Sequence, residues 1–116
     1  MSNPTQSQIA LLYFQTFCKK DTASLEVLFS DNIILSDWEG HIVGKQNVLN
    51  FNKNFFNSVN TIRIDIDRIA VGQDTVIAEI KVIVDDVIVG FVVDVLEFDQ
   101  DNKIKNIRAY KRWKNL

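Results

Sequence analysis

The sequence contains few of the residues that build disulfide and metal frameworks. It has 1 cysteine, 1 histidine and 1 proline among its 116 residues. The lone Cys18 cannot form an internal disulfide, and with so few soft ligands no zinc site can be assembled. No nucleotide-, flavin- or metal-binding motif is visible either. We therefore expect a protein that works without a metal or another cofactor.

Long apolar runs and a strong charge of one sign are also missing. The formal net charge is −2, which gives no general attraction to nucleic acid or anionic lipid. The polar start, MSNPTQSQ, has no apolar core of a signal peptide, and no apolar run approaches the length of a membrane span. The basic stretch KIKNIRAYKRWK is interpreted as a solvated strand face. These features predict a cytoplasmic protein with neither a nucleic acid nor a membrane as its partner.

What remains is a globular composition, with 47% apolar and 24% charged residues. A chain of this length can bury a substantial core, and it contains no repeat, linker or low-complexity tract. We therefore expect residues 1–116 to form a single domain.

Helical spacing dominates the first half of the chain. It predicts a first helix from about Ser7 to Lys20, a short second helix in TASLEVLF, and a third helix that begins at Lys45. Apolar side chains surround most of the first helix, so we expect this helix to be covered on most sides. The residues that support this expectation are Ile9, Leu11, Leu12, Tyr13, Phe14, Thr16, Phe17 and Cys18.

The apolar period changes to two after the third helix. TIRIDIDRI, VIAEIKVIV, the long run from Val87 to Phe98, and Ile104 to Trp113 all read as strands joined by short turns. An earlier strand pair lies in DNIILSDWEGHIVG. Helices followed by a meander of long strands predict an α+β fold, with a curved sheet packed against helices. Gly90 allows a long strand to bend, and a bent sheet can enclose a ligand-sized cavity.

Asp94 is the most unusual residue of the predicted strands. It lies in the middle of GFVVDVLEF, where both faces of the strand are apolar, so we expect both faces to be covered. A charged, buried and unpaired carboxylate there would lower the stability of the fold by on the order of several kcal/mol. Three explanations are open: an ion pair with Arg108 or Arg112, a carboxyl group that stays neutral, or a carboxylate that faces a polar cavity.

Two further residues could belong to the same site. Asp37 ends the apolar run NIILSD, where an aspartate commonly begins a turn. Tyr13 lies on the inward face of the first helix, where a buried tyrosine ordinarily finds a partner for its hydroxyl. Both residues have a purely structural interpretation, and a functional one requires them to converge with Asp94.

The order of these elements, together with LSDWEGHIVGKQNVLNF and VVDVLEFDQDNKIKNIRAY, resembles the nuclear transport factor 2-like superfamily, also described as SnoaL-like. The resemblance covers roughly Gln6 to Trp113. It implies three helices packed on a strongly curved antiparallel or mixed sheet, a cone-shaped barrel that encloses a pocket. It also implies a homodimer.

Within the superfamily the chain is most similar to ketosteroid isomerase. That family places a tyrosine on the first helix, an aspartate at the end of the first strand, and an aspartate inside a late strand, and Tyr13, Asp37 and Asp94 match these positions. The resemblance implies that Asp37 takes a proton next to a carbonyl, while Tyr13 and a neutral Asp94 donate to the enolate oxygen. Apolar neighbours would hold a small hydrophobic ketone. We expect these to be Phe17, Trp38, Phe55 and Val92.

The chain also departs from the isomerase pattern. Trp38 replaces the proline that commonly follows the strand-end aspartate, and Phe29 and Asn52 stand where some isomerases carry further tyrosines. Two other functions therefore stay open. One is a binding module with the same pocket and no turnover, and the other is a SnoaL-like polyketide cyclase or lyase that uses Asp37 with different partners.

Overall fold

The computed structural model describes residues 3–112, which contain three helices and six strands. The elements are α1 (Gln6–Cys18), α2 (Thr22–Leu28), β1 (Phe29–Ser36), β2 (His41–Val43), α3 (Lys45–Ser58), β3 (Ile62–Gly72), β4 (Thr75–Val84), β5 (Val87–Phe98) and β6 (Ile104–Arg112). Trp113, the predicted end of the last strand, lies outside the described residues. Among residues 3–112, no helix has the length and apolar character needed to cross a bilayer.

Local side-chain bonds fix where the first two helices begin. The hydroxyl of Thr5 accepts from the backbone N–H of Gln8, while the Gln8 side chain accepts from the backbone N–H of Thr5 at 2.8 Å. This reciprocal pair satisfies two N–H groups that the first turn of α1 leaves free. Asp21 caps α2 in a similar way through the N–H of Ser24, at 3.1 Å. Side-chain bonds within a few residues therefore determine where α1 and α2 begin.

The six strands form one mixed sheet in the order β2-β1-β6-β5-β4-β3. β1 runs parallel to β6, and all other neighbours are antiparallel. The helices cover one face, with α1 packed on β3 and β4 and α3 packed on β1. The predicted α+β fold with three helices on a mixed sheet is confirmed. The sheet is open, since its end strands β2 and β3 do not pair with each other in the part described.

Register shifts occur in four of the strand pairs, and two of them affect which residues face the core. Between β3 and β4 the register shifts at Asp67, and between β4 and β5 it shifts at Val89, next to Gly90. An extra residue in one strand increases the local twist and changes which residues face the core. Ile62 and Ile64 therefore pack inward before the first bulge, and Ile69 packs inward after it.

Two predictions about coverage are wrong. Leu11 and Leu12 on α1 are 40% and 47% exposed, so the sheet and α2 cover only the opposite side of this helix. On β5 the even-numbered residues from Gly90 to Phe98 are buried, but Phe91, Val93 and Val95 on the other face are only half-buried. The helices lie on one side of the sheet alone, which leaves the second face of β5 partly open in a single chain.

Candidate active site

A cavity of about 180 Å³ lies between the helices and the concave face of the sheet. All seven residues predicted for the site line it, and they come from α1, α3, β5 and the end of β1. They are Tyr13, Phe17, Asp37, Trp38, Phe55, Val92 and Asp94. The structure therefore brings the predicted site residues together, while the role of each one stays a prediction.

Tyr13 projects from α1 into a cluster of aromatic rings. Its ring centroid lies 5.3 Å from that of Phe14, 6.0 Å from that of Phe17 and 6.2 Å from that of Phe29. Burial raises the pKa of Tyr13 well above 10.0, and the negative charges of Asp94 and Asp37 raise it further. The phenol therefore keeps its proton at neutral pH and can donate a hydrogen bond into the cavity.

Asp94 has space around its carboxyl group because its sheet neighbours are small. Ala78 on β4 and Ala109 on β6 are its direct partners across the two ladders, and paired residues share one face of the sheet. The residue is only 8% exposed. Burial, and then the charge of Asp37, raise the pKa of Asp94 from 3.8 to about 7. A substantial fraction of this carboxyl group is therefore protonated near neutral pH.

The ion pair considered for Asp94 does not form. Arg108 binds Glu97 on the opposite face of the sheet, and the Arg112 guanidinium carbon lies 4.8 Å from the centroid of the Phe91 ring. No basic group in residues 3–112 lies within salt-bridge distance of Asp94. The structure therefore favours a neutral or cavity-facing carboxyl group over a paired carboxylate.

Asp37 begins the turn that joins β1 to β2. Its Oδ1 accepts from the backbone N–H of Glu39 at 2.8 Å and from that of Gly40 at 3.1 Å, and its own N–H donates to the Gly40 carbonyl at 3.0 Å. The structural interpretation of Asp37 as a turn residue is therefore correct for this oxygen. These bonds fix the carboxylate at the cavity wall, where its charge acts on Tyr13 and Asp94.

Trp38 and Lys111 also line the cavity, and their side chains are in contact with each other. The Lys111 ammonium lies 5.4 Å from the centroid of the Trp38 ring, a cation–π arrangement. A methyl group added at Gly90 would lie 3.1 Å from Lys111 Cε, so the lysine stem runs across the bare backbone of this glycine. Gly90 thus permits the close approach of Lys111, besides lying next to the bulge.

The cavity wall also contains polar residues to which the sequence analysis assigned no part in binding, among them Lys111 and Asn52. Strand parity could have indicated Lys111, which pairs with Val92 and follows Ile107 and Ala109 on the inner face of β6. Asn52 was noted only as a departure from the isomerase pattern, and the argument applied to Asp94 could have indicated that it lines the cavity. It is a polar residue at a buried position of α3, only 5% exposed. In residues 3–112, no group of three or more His, Cys, Asp and Glu side chains is arranged to hold a metal ion.

Comparison with known proteins places this site in a familiar fold. A SnoaL-like protein of unknown function from Burkholderia thailandensis superposes with a TM-score of 0.82 at 13% identity, over 93% of this chain and 94% of that one. A candidate ketosteroid isomerase from Kribbella flavida superposes with a TM-score of 0.81 at 14% identity, over 96% of this chain and 80% of that one. A candidate polyketide cyclase from Sinorhizobium meliloti superposes with a TM-score of 0.77 at 16% identity, over 87% of this chain and 92% of that one.

Identities this low support a shared fold and leave the activity open. No curated protein matches the chain in sequence. The family model of the SnoaL-like domain matches residues 10–107, which include most of the cavity wall. The chain therefore belongs to the SnoaL-like domain family.

Proposed function

We propose that this protein moves a proton next to the carbonyl group of a small hydrophobic ketone, through an enolate. The observation that carries the proposal is the meeting of Tyr13, Asp37 and Asp94 on one cavity wall, with no cation in the described residues to neutralise Asp94. A carboxylate base and two neutral oxygen donors are the groups that such a reaction needs.

The proposed steps conserve the proton. Asp37 removes a proton from the carbon between the carbonyl and a carbon–carbon double bond, which leaves a dienolate. Tyr13 and protonated Asp94 donate hydrogen bonds to the oxygen on which the negative charge develops. Asp37 then returns its proton to the far carbon of the former double bond, and the product is the conjugated ketone.

The cavity supports a small substrate. Its volume of about 180 Å³ is less than the roughly 300–1,000 Å³ of sites for drug-sized ligands. Aromatic and aliphatic side chains make up most of its wall, and they include Phe17, Phe55 and Val92. A monocyclic ketone therefore suits this cavity better than a steroid does.

The test uses two probes and one variant. Purified protein is mixed with 3-cyclohexen-1-one or with a β,γ-unsaturated ketosteroid, and formation of the conjugated product is followed by ultraviolet absorbance. Asp37→Asn keeps an oxygen for the turn but removes the base, so it should stay folded and lose about 10²- to 10⁴-fold in rate. Conversion that is equally fast in parent and variant would rule out the mechanism.

A second candidate function is ligand binding without turnover. The observation in its favour is that Asp37 already serves as a turn residue, which gives this aspartate a reason to be present without catalysis. The same experiment separates the two functions. Saturable binding of the ketones without conversion, in the parent protein and at every pH tested, would support the binding module.

We also propose that two copies pair through the outer face of the sheet. Phe91, Val93 and Val95 lie half-buried on that face in the single chain, and Ile77 and Tyr110 beside them are 39% and 58% exposed. A second copy would cover this apolar strip. Sedimentation of the parent and of a Val95→Lys variant tests the pairing, because a dimer should become a monomer in the variant.

A further inference from the structure

Asn52 occupies a position that the helix pattern reserves for an apolar residue. The buried positions of α3 are Val48, Leu49, Asn52 and Phe56, which lie three or four residues apart and so form one stripe along the helix. The amide group of Asn52 therefore points toward the interior, in the middle of an apolar face.

The Asn52 amide has no hydrogen-bond partner among residues 3–112, although nearby polar residues of the same helix have theirs. Asn47 donates to the Val43 carbonyl at 2.9 Å, and Asn50 accepts from Gln46 at 3.2 Å. Neither Tyr13 nor Asp94 is bonded to Asn52. Only 5% of Asn52 is exposed, and the residue lines the cavity. Its free donors and acceptors therefore open into the ligand space.

We propose that Asn52 is a specificity-determining residue, whose amide binds a second polar group on the ligand. The carbonyl end of the ligand is assigned to Tyr13 and Asp94 by the proposed function, on which this inference rests for that end alone. Asn52 projects from a third element, α3, and lines the same cavity without a bond to Tyr13 or Asp94, so its amide is free to bond a further polar group of the ligand. The ligand class is a small ketone that carries a hydroxyl or a second carbonyl group. A site built to bond such a group discriminates against analogues that lack it.

The test compares two phenols, which imitate the planar oxygen of an enol. The probes are 3-hydroxybenzyl alcohol and 3-ethylphenol, which differ only by a hydroxyl in place of a terminal methyl. Both are titrated against parent protein and Asn52→Leu by ¹⁵N NMR. We expect the ratio of the two dissociation constants to shift by about tenfold toward 3-ethylphenol in the variant, the usual worth of one hydrogen bond. The side-chain amide signals of Asn52 should move with 3-hydroxybenzyl alcohol alone.

Asn54→Leu is the matched control, since it makes the same chemical change at an exposed position of α3 and should leave the ratio unchanged. Urea unfolding gives a second readout. Because Asn52 bonds no described residue, Asn52→Leu should unfold at the same or a higher urea concentration than the parent. If the leucine variant does not fold, Asn52→Ala serves in the same titrations.

An unchanged ratio in a folded Asn52 variant would overturn the inference. Tyr13→Phe distinguishes this failure from failure of the proposed function. If Tyr13→Phe leaves the affinity for both phenols unchanged, the assigned carbonyl end is wrong, but the ratio controlled by Asn52 still tests the second contact.

Discussion

The carboxyl groups on the inner and outer faces of β5 lie in opposite environments. Asp94 and Glu97 lie three residues apart on this strand, Asp94 on the inner face and Glu97 on the outer face. Glu97 is partly exposed and bound by Arg108, which projects from β6 on the same outer face. Asp94 is buried without a cation, and the pKa of Asp94 rises to about 7.

The difference shows which acid is available for function. A paired, solvated carboxylate contributes little to stability and is held by its partner. A buried, unpaired one makes the folded state less stable at neutral pH, and a chain keeps such a residue more readily where a ligand uses it. Under the proposed function, the inner face of the sheet is the one that would carry the chemistry, and the outer face is the one through which two copies would pair.

The largest effect is expected when a lysine is placed on each face of the sheet in turn. Val76 and Ile77 are consecutive on β4, but Val76 is 0% exposed and Ile77 is 39% exposed. Val76→Lys should lower the free energy of unfolding by about 4 kcal/mol or prevent folding, because the lysine has no buried partner. Ile77→Lys should change it by less than about 1 kcal/mol when the protein is dilute enough that two copies do not pair through the outer face. Urea denaturation of both variants measures this, and equal losses would show that the two faces are wrongly assigned.

The second prediction concerns the pH dependence that Asp94 imposes. Its folded pKa of about 7 exceeds the ordinary value of 3.8, so the neutral carboxyl contributes stability that is fully present below pH 3.8 and is lost as the pH rises through about 7. Asp94→Asn removes this loss. The variant should gain about 2–3 kcal/mol relative to the parent between pH 5 and pH 8.

Urea unfolding at the two pH values checks this prediction. Under the proposed mechanism only protonated Asp94 donates to the enolate, so the parent's conversion of 3-cyclohexen-1-one should fall as the pH rises through about 7. A variant that is less stable than the parent at pH 8 would mean that Asp94 is charged and bound after all.

The sequence predicted the parts of the site that depend on local pattern. The bounds of β5, Val87–Phe98, are those read from the apolar run, and Asp94 stood out because it interrupts that run. The alternation in TIRIDIDRI puts Ile62, Ile64 and Ile66 on one face of β3, but only Ile62 and Ile64 pack against the core, because a bulge is set by pairing with β4 and leaves no mark in the period of one strand. Ile66 is 37% exposed.

Asn52 was recognised only as a residue that replaces an isomerase tyrosine, and its burial was not predicted. The third helix also carries asparagine at positions 47, 50, 54 and 57, so its composition does not single out one amide. The burial of Asn52 depends on which side of α3 meets the sheet. Leu12 was misplaced by the same uncertainty on α1, since periodicity defines an apolar face but not how much of it neighbours cover.

The third prediction concerns the ion pair between Glu97 and Arg108 on the outer face. The side chains of Glu97 and Arg108 are 31% and 35% exposed, so solvent screens their attraction. Glu97→Gln should therefore lower the free energy of unfolding by no more than about 1 kcal/mol at low salt. In 1 M NaCl parent and variant should differ less. If the loss of unfolding free energy is equally large in high salt, the pair stabilises the fold by more than a solvent-screened attraction.

The smallest expected effect separates two glycines of the same sheet. A methyl group added at Gly72, at the end of β3, would meet nothing within 4 Å, whereas at Gly90 it would lie 3.1 Å from Lys111 Cε. Gly72→Ala should therefore stabilise the protein by about 0.5 kcal/mol, because alanine lowers the entropy of the unfolded chain. At Gly90 the same gain is offset by displacement of the lysine stem, so Gly90→Ala should leave the free energy of unfolding nearly unchanged.

The displaced lysine gives Gly90→Ala a second, more specific readout. Its ammonium should leave the Trp38 ring, and Trp38 fluorescence in a Trp113→Phe background reports that movement. Lys111→Met in the same background is the reference for a ring without its cation. A Gly90→Ala variant as stable as Gly72→Ala, with the emission of the parent, would show that Lys111 does not depend on the bare backbone of Gly90.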